Sequence, residues 1–270
     1  MVDMSGSKII LAAILIEVIF AGWVVAASLQ DADSDSETLL IYSGAGLKTA
    51  MDELGDEFES ETGIAVDIIY GGSGHIFGQL ATSKRGDLFI PGAKYYTSKG
   101  IEEGLLEESR TRNVTYHVPV IIVKKGNPNN ITSLEDLKKP GVKVALGSDK
   151  ECAIGRLSKK LLTKEGLYEG IESSTLEVTT ATVNELLLYV TIGTVDAAIV
   201  WEDNVGTLVR KDEVEVIEIA HLKNIINTVP ISVTRCSNSP ELAEDFIDFA
   251  CGENGHDIWI KNGFEPYEYE

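Results

Sequence analysis

Short apolar runs alternate along the chain with stretches in which apolar residues recur every three or four positions, and these two periods predict strands and helices in turn. "TLLIYS" at 38–43 reads as a strand, and Leu47, Met51, Leu54 and Phe58 then share one face of a helix that stops at Gly63. "IAVDIIY" at 64–70 returns to strand, after which Ile76 and Leu80 mark the face of a second helix. "DLFI" at 87–90 is a brief buried-type strand, and "GIEEGLL" at 100–106 a helix end and turn. "VTYHVPVIIVKKGNP" at 114–128 is a long extended segment with Pro119 inside it. The second half repeats the scheme: "SLEDLKKPG" at 133–141 is a capped helix, "VKVALG" at 142–147 a strand, and "AIGRLSKKLLTKEG" at 153–166 a helix opened by small residues. "TVNELLLYVTIG" at 182–193 is a helix and "DAAIVW" at 196–201 a strand, followed by a helix-like stretch to "VIEIA" at 216–220. "NTVPISVTR" at 227–235 is a second proline-containing extended segment, and "SPELAEDFIDFAC" closes with a helix that has Ser239 and Pro240 at its start.

Alternating β and α elements imply an α/β fold, with parallel-type sheets carrying helices on both faces. The two proline-containing segments read as crossover strands that pass from one lobe to another and back. Lobe 1 is then expected to comprise residues 38–118 and 231–270 and lobe 2 residues 119–230, with a cleft between them and hinge closure about the connectors. Ahead of this body, Ile9 to Ala27 is an apolar run behind Lys8 and before the polar stretch "SLQDADSDSE". Residues 1–37 therefore read as an export signal or membrane anchor plus linker. Val25 and Ala27 stand where a cleavage site needs small residues, and Glu17 is tolerable in either role. No cysteine follows the run, so a bacterial-type lipid anchor is not supported. The body is expected outside the cytoplasmic membrane, touching it only through this segment.

Composition narrows the partners. The 270 residues carry a formal charge of −20, which repels nucleic acid and anionic lipid alike. An anionic ligand is compatible with that charge only when neutral dipoles hold it in a closed cleft. The chain is expected to act as a monomer. Cys152, Cys236 and Cys251 match no metal-ligand spacing; Cys236 and Cys251 flank one predicted helix and either pair in an oxidising setting or stay free. Asn113 in "NVT" and Asn130 in "NIT" match the glycosylation pattern.

"IIYGGSGHIFGQL" at 68–80 exposes bare backbone where a helix begins. Either its glycines serve a turn that needs positive φ, or the turn is an anion cradle built from unpaired N–H groups and the helix dipole. "YSGAGLKTA" at 42–50 is a similar turn, and Ser43 and Ser73 add a hydroxyl to each. Neither is a dinucleotide fingerprint: Thr49 stands where a third glycine or alanine belongs, and Gly72, Gly74 and Gly78 are spaced one residue too far. No phosphate loop is present. "SDKECAIGR" and "TATVNE" are matching turns in the second lobe, which places Glu151 and Cys152 at the expected cleft. Enzyme constellations are thin: His75, His117, His221 and His256 lie far apart and read as surface or packing residues, and no nucleophile elbow or carboxylate pair stands out. Trp201 is either a core ring or an indole N–H donor to an anion.

The segments "LLIYSGAGLKTAMDELGDEFESETGIAVDIIYGGSGHIFGQL", "GDLFIPG", "VPVIIVKKGNP", "SLEDLKKPGVKVALG", "AIGR", "AAIVW" and "NGF", in this order, resemble the extracytoplasmic molybdate/tungstate-binding proteins that deliver oxyanions to ABC importers. The resemblance implies a two-lobed periplasmic-binding-protein-like architecture, no enzymatic activity, no cofactor, and an ABC permease as partner. It implies a tetrahedral dianion, molybdate or tungstate, held between the lobes by serine hydroxyls, backbone amides and a tyrosine. Carried over by motif, Ser73 with its neighbour Gly74 matches the ligand serine, and Gly46 stands where the family commonly has serine, keeping an N–H with Ser43 to compensate. In the second lobe the donors fall on Ile154 and Val183 beside Cys152, and Trp201 occupies the tyrosine position. Glu151 and Glu202 lie nearest to the carboxylates some archaeal relatives add to the metal, but "KECAIGR" does not match that pattern cleanly, so a four-coordinate oxyanion held by hydrogen bonds is favoured.

Overall fold

A computed structural model of the protein describes residues 38–206 and 211–267. The export or anchor segment and its linker lie outside these residues, and so does any test of their reading. Among the described residues no helix is long and apolar enough to cross a membrane.

The elements follow in chain order. The first are β1 (Thr38–Gly44), a 3₁₀ turn (Ala45–Leu47), α1 (Lys48–Thr62), β2 (Ala65–Gly71), α2 (Ser73–Ser83), β3 (Leu88–Ile90), α3 (Lys94–Glu102), β4 (Leu106–His117) and β5 (Pro119–Lys124). A 3₁₀ segment (Leu134–Lys138), β6 (Val144–Gly147), α4 (Ala153–Lys164), α5 (Tyr168–Ser174), β7 (Leu176–Thr180), α6 (Val183–Thr191), β8 (Ala197–Trp201) and α7 (Glu202–Gly206) come next. The chain ends with a 3₁₀ turn (Lys211–Glu213), β9 (Val214–Glu218), β10 (Asn227–Thr234), α8 (Pro240–Cys251) and α9 (Glu253–Lys261).

The strands make two five-stranded sheets, ordered β2-β1-β3-β10-β4 and β7-β6-β8-β5-β9. Each is mixed in the same way: β1 runs parallel to β2 and β3, and β6 parallel to β7 and β8, while β10 and β5 pair antiparallel to their neighbours. This is the two-lobed α/β fold of periplasmic binding proteins. Its lobes are joined where β4 gives way to β5 at Val118 and where β9 passes to β10 through 219–226, ahead of the return expected at 231. Each lobe has its own core, because each sheet is covered by helices whose apolar stripes face it. Leu47, Met51, Leu54 and Phe58 pack with Phe246 and Trp259 in the first. Ile121, Leu161, Leu186 and Ile199 pack in the second.

Three readings of the sequence change. "VEVIE" is the strand β9, because its alternating burial has the period of an edge strand rather than a helix. "LEDLK" is a 3₁₀ rather than an α-helix, although Ser133 and Asp136 do close the capping box the sequence suggested. Cys236 and Cys251 form no disulfide: Cys236 Sγ lies 3.5 Å from Thr234 Oγ1 and Cys251 Sγ 4.0 Å from the Asn113 carbonyl, so the pairing reading is overturned.

Candidate functional site

In both sheets the parallel strands deliver the chain to a helix start at the same edge, facing the other lobe. Gly72 caps α2, Cys152 caps α4, Thr182 caps α6, and Gly44 precedes the 3₁₀ turn. These four starts, with Gly92, His117 and Trp201, enclose a cavity of about 20 Å³. No lysine, arginine or carboxylate side chain lines it. Its positive character comes from backbone amides and helix dipoles, the arrangement that binds anions without fixed charge.

The glycines of "GGSG" answer to close approach rather than to turn geometry. Gly72 has φ −60°, and Gly71 and Gly74 are likewise absent from the positive-φ positions. A Cβ on Gly72 would stand 2.6 Å from the Glu151 carbonyl oxygen, and one on Gly74 would strike the Lys150 carbonyl. The first lobe thus lies with its bare backbone against the second. Gly74 N–H donates to Glu151 O at 2.9 Å, Tyr96 Oη to Lys150 O at 2.6 Å, and Asn184 Nδ2 to Ala45 O at 3.2 Å. The Arg156 guanidinium lies 3.7 Å over the Tyr95 ring.

The expected site residues fall in different places. Ser73 is buried on the cavity wall. Its Oγ accepts from Gly92 N–H at 3.0 Å, which leaves its O–H to donate inward. Ser43 is buried with its hydroxyl on the Gly44 carbonyl and is not on the wall. Gly46 is on the wall; a side chain there would meet Asn204 Oδ1 at 2.8 Å and Val183 Cγ1 at 3.0 Å. Asn204 Nδ2 also donates to the Gly46 carbonyl. The serine common at this position in the resembled family would therefore collide with Asn204. Gly74 spends its N–H on the other lobe. Val183 lines the cavity at the start of α6, where the capping box takes the amides of Ala181 and Thr182 onto Glu185 and that of Glu185 onto the Thr182 hydroxyl, none of them using the Val183 amide. Ile154 is buried away from the wall. Its amide and that of Gly155 face the Cys152 sulfur, but burial dominates and pushes that thiol up to about 11. Glu151 and Glu202 have exposed side chains that do not line the cavity. Desolvation, then Glu218, Asp203 and Glu265, hold the Glu202 carboxyl above its usual range. Among the described residues no cluster of three or more His, Cys, Asp or Glu gathers to hold a metal ion.

Trp201 is buried on the wall, and its ring stacks on His117 at 4.6 Å and 7°. His117, set aside in the sequence as a packing or surface residue, is fully buried at the cavity with Nδ1 2.8 Å from Asp203 Oδ1. The residues lie 86 positions apart, so no local spacing announced the pair.

Comparison with known proteins agrees with this architecture. Residues 39–265 match the family described as bacterial extracellular solute-binding proteins. A Haemophilus influenzae protein whose name says no more than that it is a binding protein is 31% identical over 239 residues, covering 88% of this chain and 93% of that one. The molybdate-binding protein ModA of Mycobacterium tuberculosis is 24% identical over 251 residues, covering 90% and 93%. The sulfate-binding protein SubI of Mycobacterium tuberculosis superposes with a TM-score of 0.77 at 17% identity, covering 86% of this chain and 88% of that one, a likeness of fold.

Proposed function

The chain belongs to the bacterial extracellular solute-binding proteins, and from that premise we propose that it captures a tetrahedral oxyanion, molybdate or tungstate, and presents it to an ABC permease. The observation that carries the reading is the convergence of three helix starts and Ser73 on one small cavity whose lining has no charged Lys, Arg, Asp or Glu side chain. Removing a dianion from water is costly, and hydrogen bonds to a charged group, each contributing roughly 1.5–3 kcal/mol net, offset that cost when several converge. The Ser73 O–H and the amides at Gly46, Ala153 and Val183 are the donors in this reading. The binding of molybdate by a relative similar along nine-tenths of this chain supports the ligand class. The cavity, at about 20 Å³ little larger than one water needs, must widen for any oxyanion and would have to widen far more for an organic acid. Closure of the lobes over the anion, sealed by the Gly74–Glu151 and Tyr96–Lys150 contacts, is the signal the permease would read.

Calorimetric titration of the full chain with molybdate, tungstate, sulfate and phosphate tests the reading. One-to-one binding is expected, tightest for molybdate and tungstate, and weaker by about tenfold or more in Ser73→Ala through loss of a charge-assisted hydrogen bond. Heatless titrations with molybdate and tungstate would sink the ligand assignment while leaving the family in place.

A further inference from the structure

His117 closes β4 at the point where the chain leaves the first lobe. Every part of its ring is spoken for except one atom. Asp203 Oδ1 holds Nδ1 at 2.8 Å, Trp201 covers one face, and Phe264 tilts against the ring at 5.7 Å. Nε2 is buried with no partner. That atom lies on the cavity side: a Cβ on Gly92, itself on the wall, would stand 3.9 Å from Nε2 and 3.6 Å from Ser73 Oγ. A buried polar atom without a partner is costly, and here it is aimed at the space where the ligand belongs.

A carboxylate at Nδ1 fixes the tautomer in which Nδ1 carries the hydrogen and Nε2 the lone pair. A lone pair and an oxyanion oxygen repel unless a proton lies between them. Resting on the oxyanion reading of the cavity, we propose that one proton bridges His117 Nε2 and a ligand oxygen in the loaded site, so that capture of a fully deprotonated dianion draws one proton from solvent and release returns it. The balance is simple: a new Nε2–H bond forms, the imidazole becomes imidazolium, and no bond within the ligand breaks. Asp203 on one side and the dianion on the other both favour that charged form. Of the groups that face His117, Asp203 comes from α7 and the Cys152 thiol from the start of α4, where burial keeps it protonated. Glu202 and Glu265, adjoining Trp201 and Phe264, have exposed side chains. Asn227 of β10, paired with His117, and the segment at Gly92 bring no titratable group. The imidazole is left to take the proton.

Titration calorimetry of the full chain with molybdate at pH 8, in buffers of different ionisation enthalpy, reads the proton directly. Uptake close to one proton per ligand is expected, with wild-type affinity falling as the pH is raised, by up to tenfold per pH unit as one-proton linkage requires. His117→Gln keeps an amide at the site but cannot titrate, and should bind with no uptake and with affinity constant to within about twofold from pH 6 to 8. Imidazole ¹⁵N spectra of the wild type, with and without molybdate, supply a readout independent of how well the variant folds: Nε2 should move from its lone-pair to its protonated position. Binding without proton uptake, or an unmoved Nε2 signal in the complex, overturns the proton bridge and leaves the oxyanion reading standing. Failure of all four oxyanions to bind overturns both.

Discussion

Gly74 is a residue that a helix would ordinarily replace with alanine at a gain of up to about 1 kcal/mol. Here a Cβ would be driven into the Lys150 carbonyl and lie 3.0 Å from Glu151 Cα across the cleft. Gly74→Ala is therefore expected to leave the thermal midpoint of the unliganded protein unchanged or slightly raised while weakening ligand binding by at least tenfold, because the clash exists only when the lobes meet. Calorimetry and a thermal melt on the same sample separate the two effects, and unchanged affinity would reduce the glycine to a turn residue. The same burial logic applies to Cys152, whose thiol is pushed up to about 11. It should resist aromatic disulfide reagents at pH 8 for as long as the protein is folded, whereas the half-buried Cys236 and Cys251 react. At this scale the sequence was informative where chemistry is local. Ser73 and the glycines beside it announce themselves through backbone exposed at a helix start. His117 does not, because its meaning depends on an aspartate 86 residues away and on a ring from another strand. Ser43 misled for the opposite reason: its hydroxyl is near the turn in sequence but satisfied within it.

At the scale of elements, the alternation of apolar periods found most strands and helices, since one face of each is pressed on a sheet or a core, but α5, β7 and α9 went unread. Where an element was read as the wrong kind, that pressure is weak. β9 is an edge strand with every second residue open to water, and the segment at 134–138 is too short for a helical stripe to form. That segment is held by its cap instead. Asp136 accepts from the backbone N–H and hydroxyl of Thr132 and from Ser133; the Thr132 amide first, then Lys139 at 3.0 Å and the Thr132 hydroxyl, hold its carboxyl well down, at about 2, against the opposing effect of burial. A depressed carboxyl stabilises the fold above its unfolded value near 3.8, and that contribution is lost as the pH falls from about 4 through about 2. Asp136→Asn should accordingly cost on the order of 1–2 kcal/mol at pH 7, and the difference from the wild type should close toward pH 2. Urea unfolding of both proteins across that range reads the gap; a gap undiminished at pH 2.5 would mean that the carboxylate charge is not what holds the turn.

The whole molecule poses a conflict that no single element shows: a chain of net charge −20 is proposed to collect a dianion. The two demands separate because they act over different distances. The field of scattered carboxylates reaches outward over a Debye length and opposes approach, whereas the amides and Ser73 act within a hydrogen-bond length inside a cavity lined by no carboxylate. Approach is therefore penalised, and retention is not. Raising the ionic strength from about 10 to about 150 mM shortens the Debye length from roughly 30 to roughly 8 Å. The association rate of molybdate should then rise severalfold, opposite to the behaviour of a site that steers its anion with lysines. The dissociation rate, set by reopening the lobes and stripping the anion from fixed dipoles, should stay within about twofold. Trp201, stacked on His117 at the wall, is placed to report both rates by stopped-flow fluorescence. An association rate that falls with salt would mean that a basic feature outside the cavity guides the ligand in, and would break the separation of long-range repulsion from short-range capture on which the acidic surface and the anion site coexist.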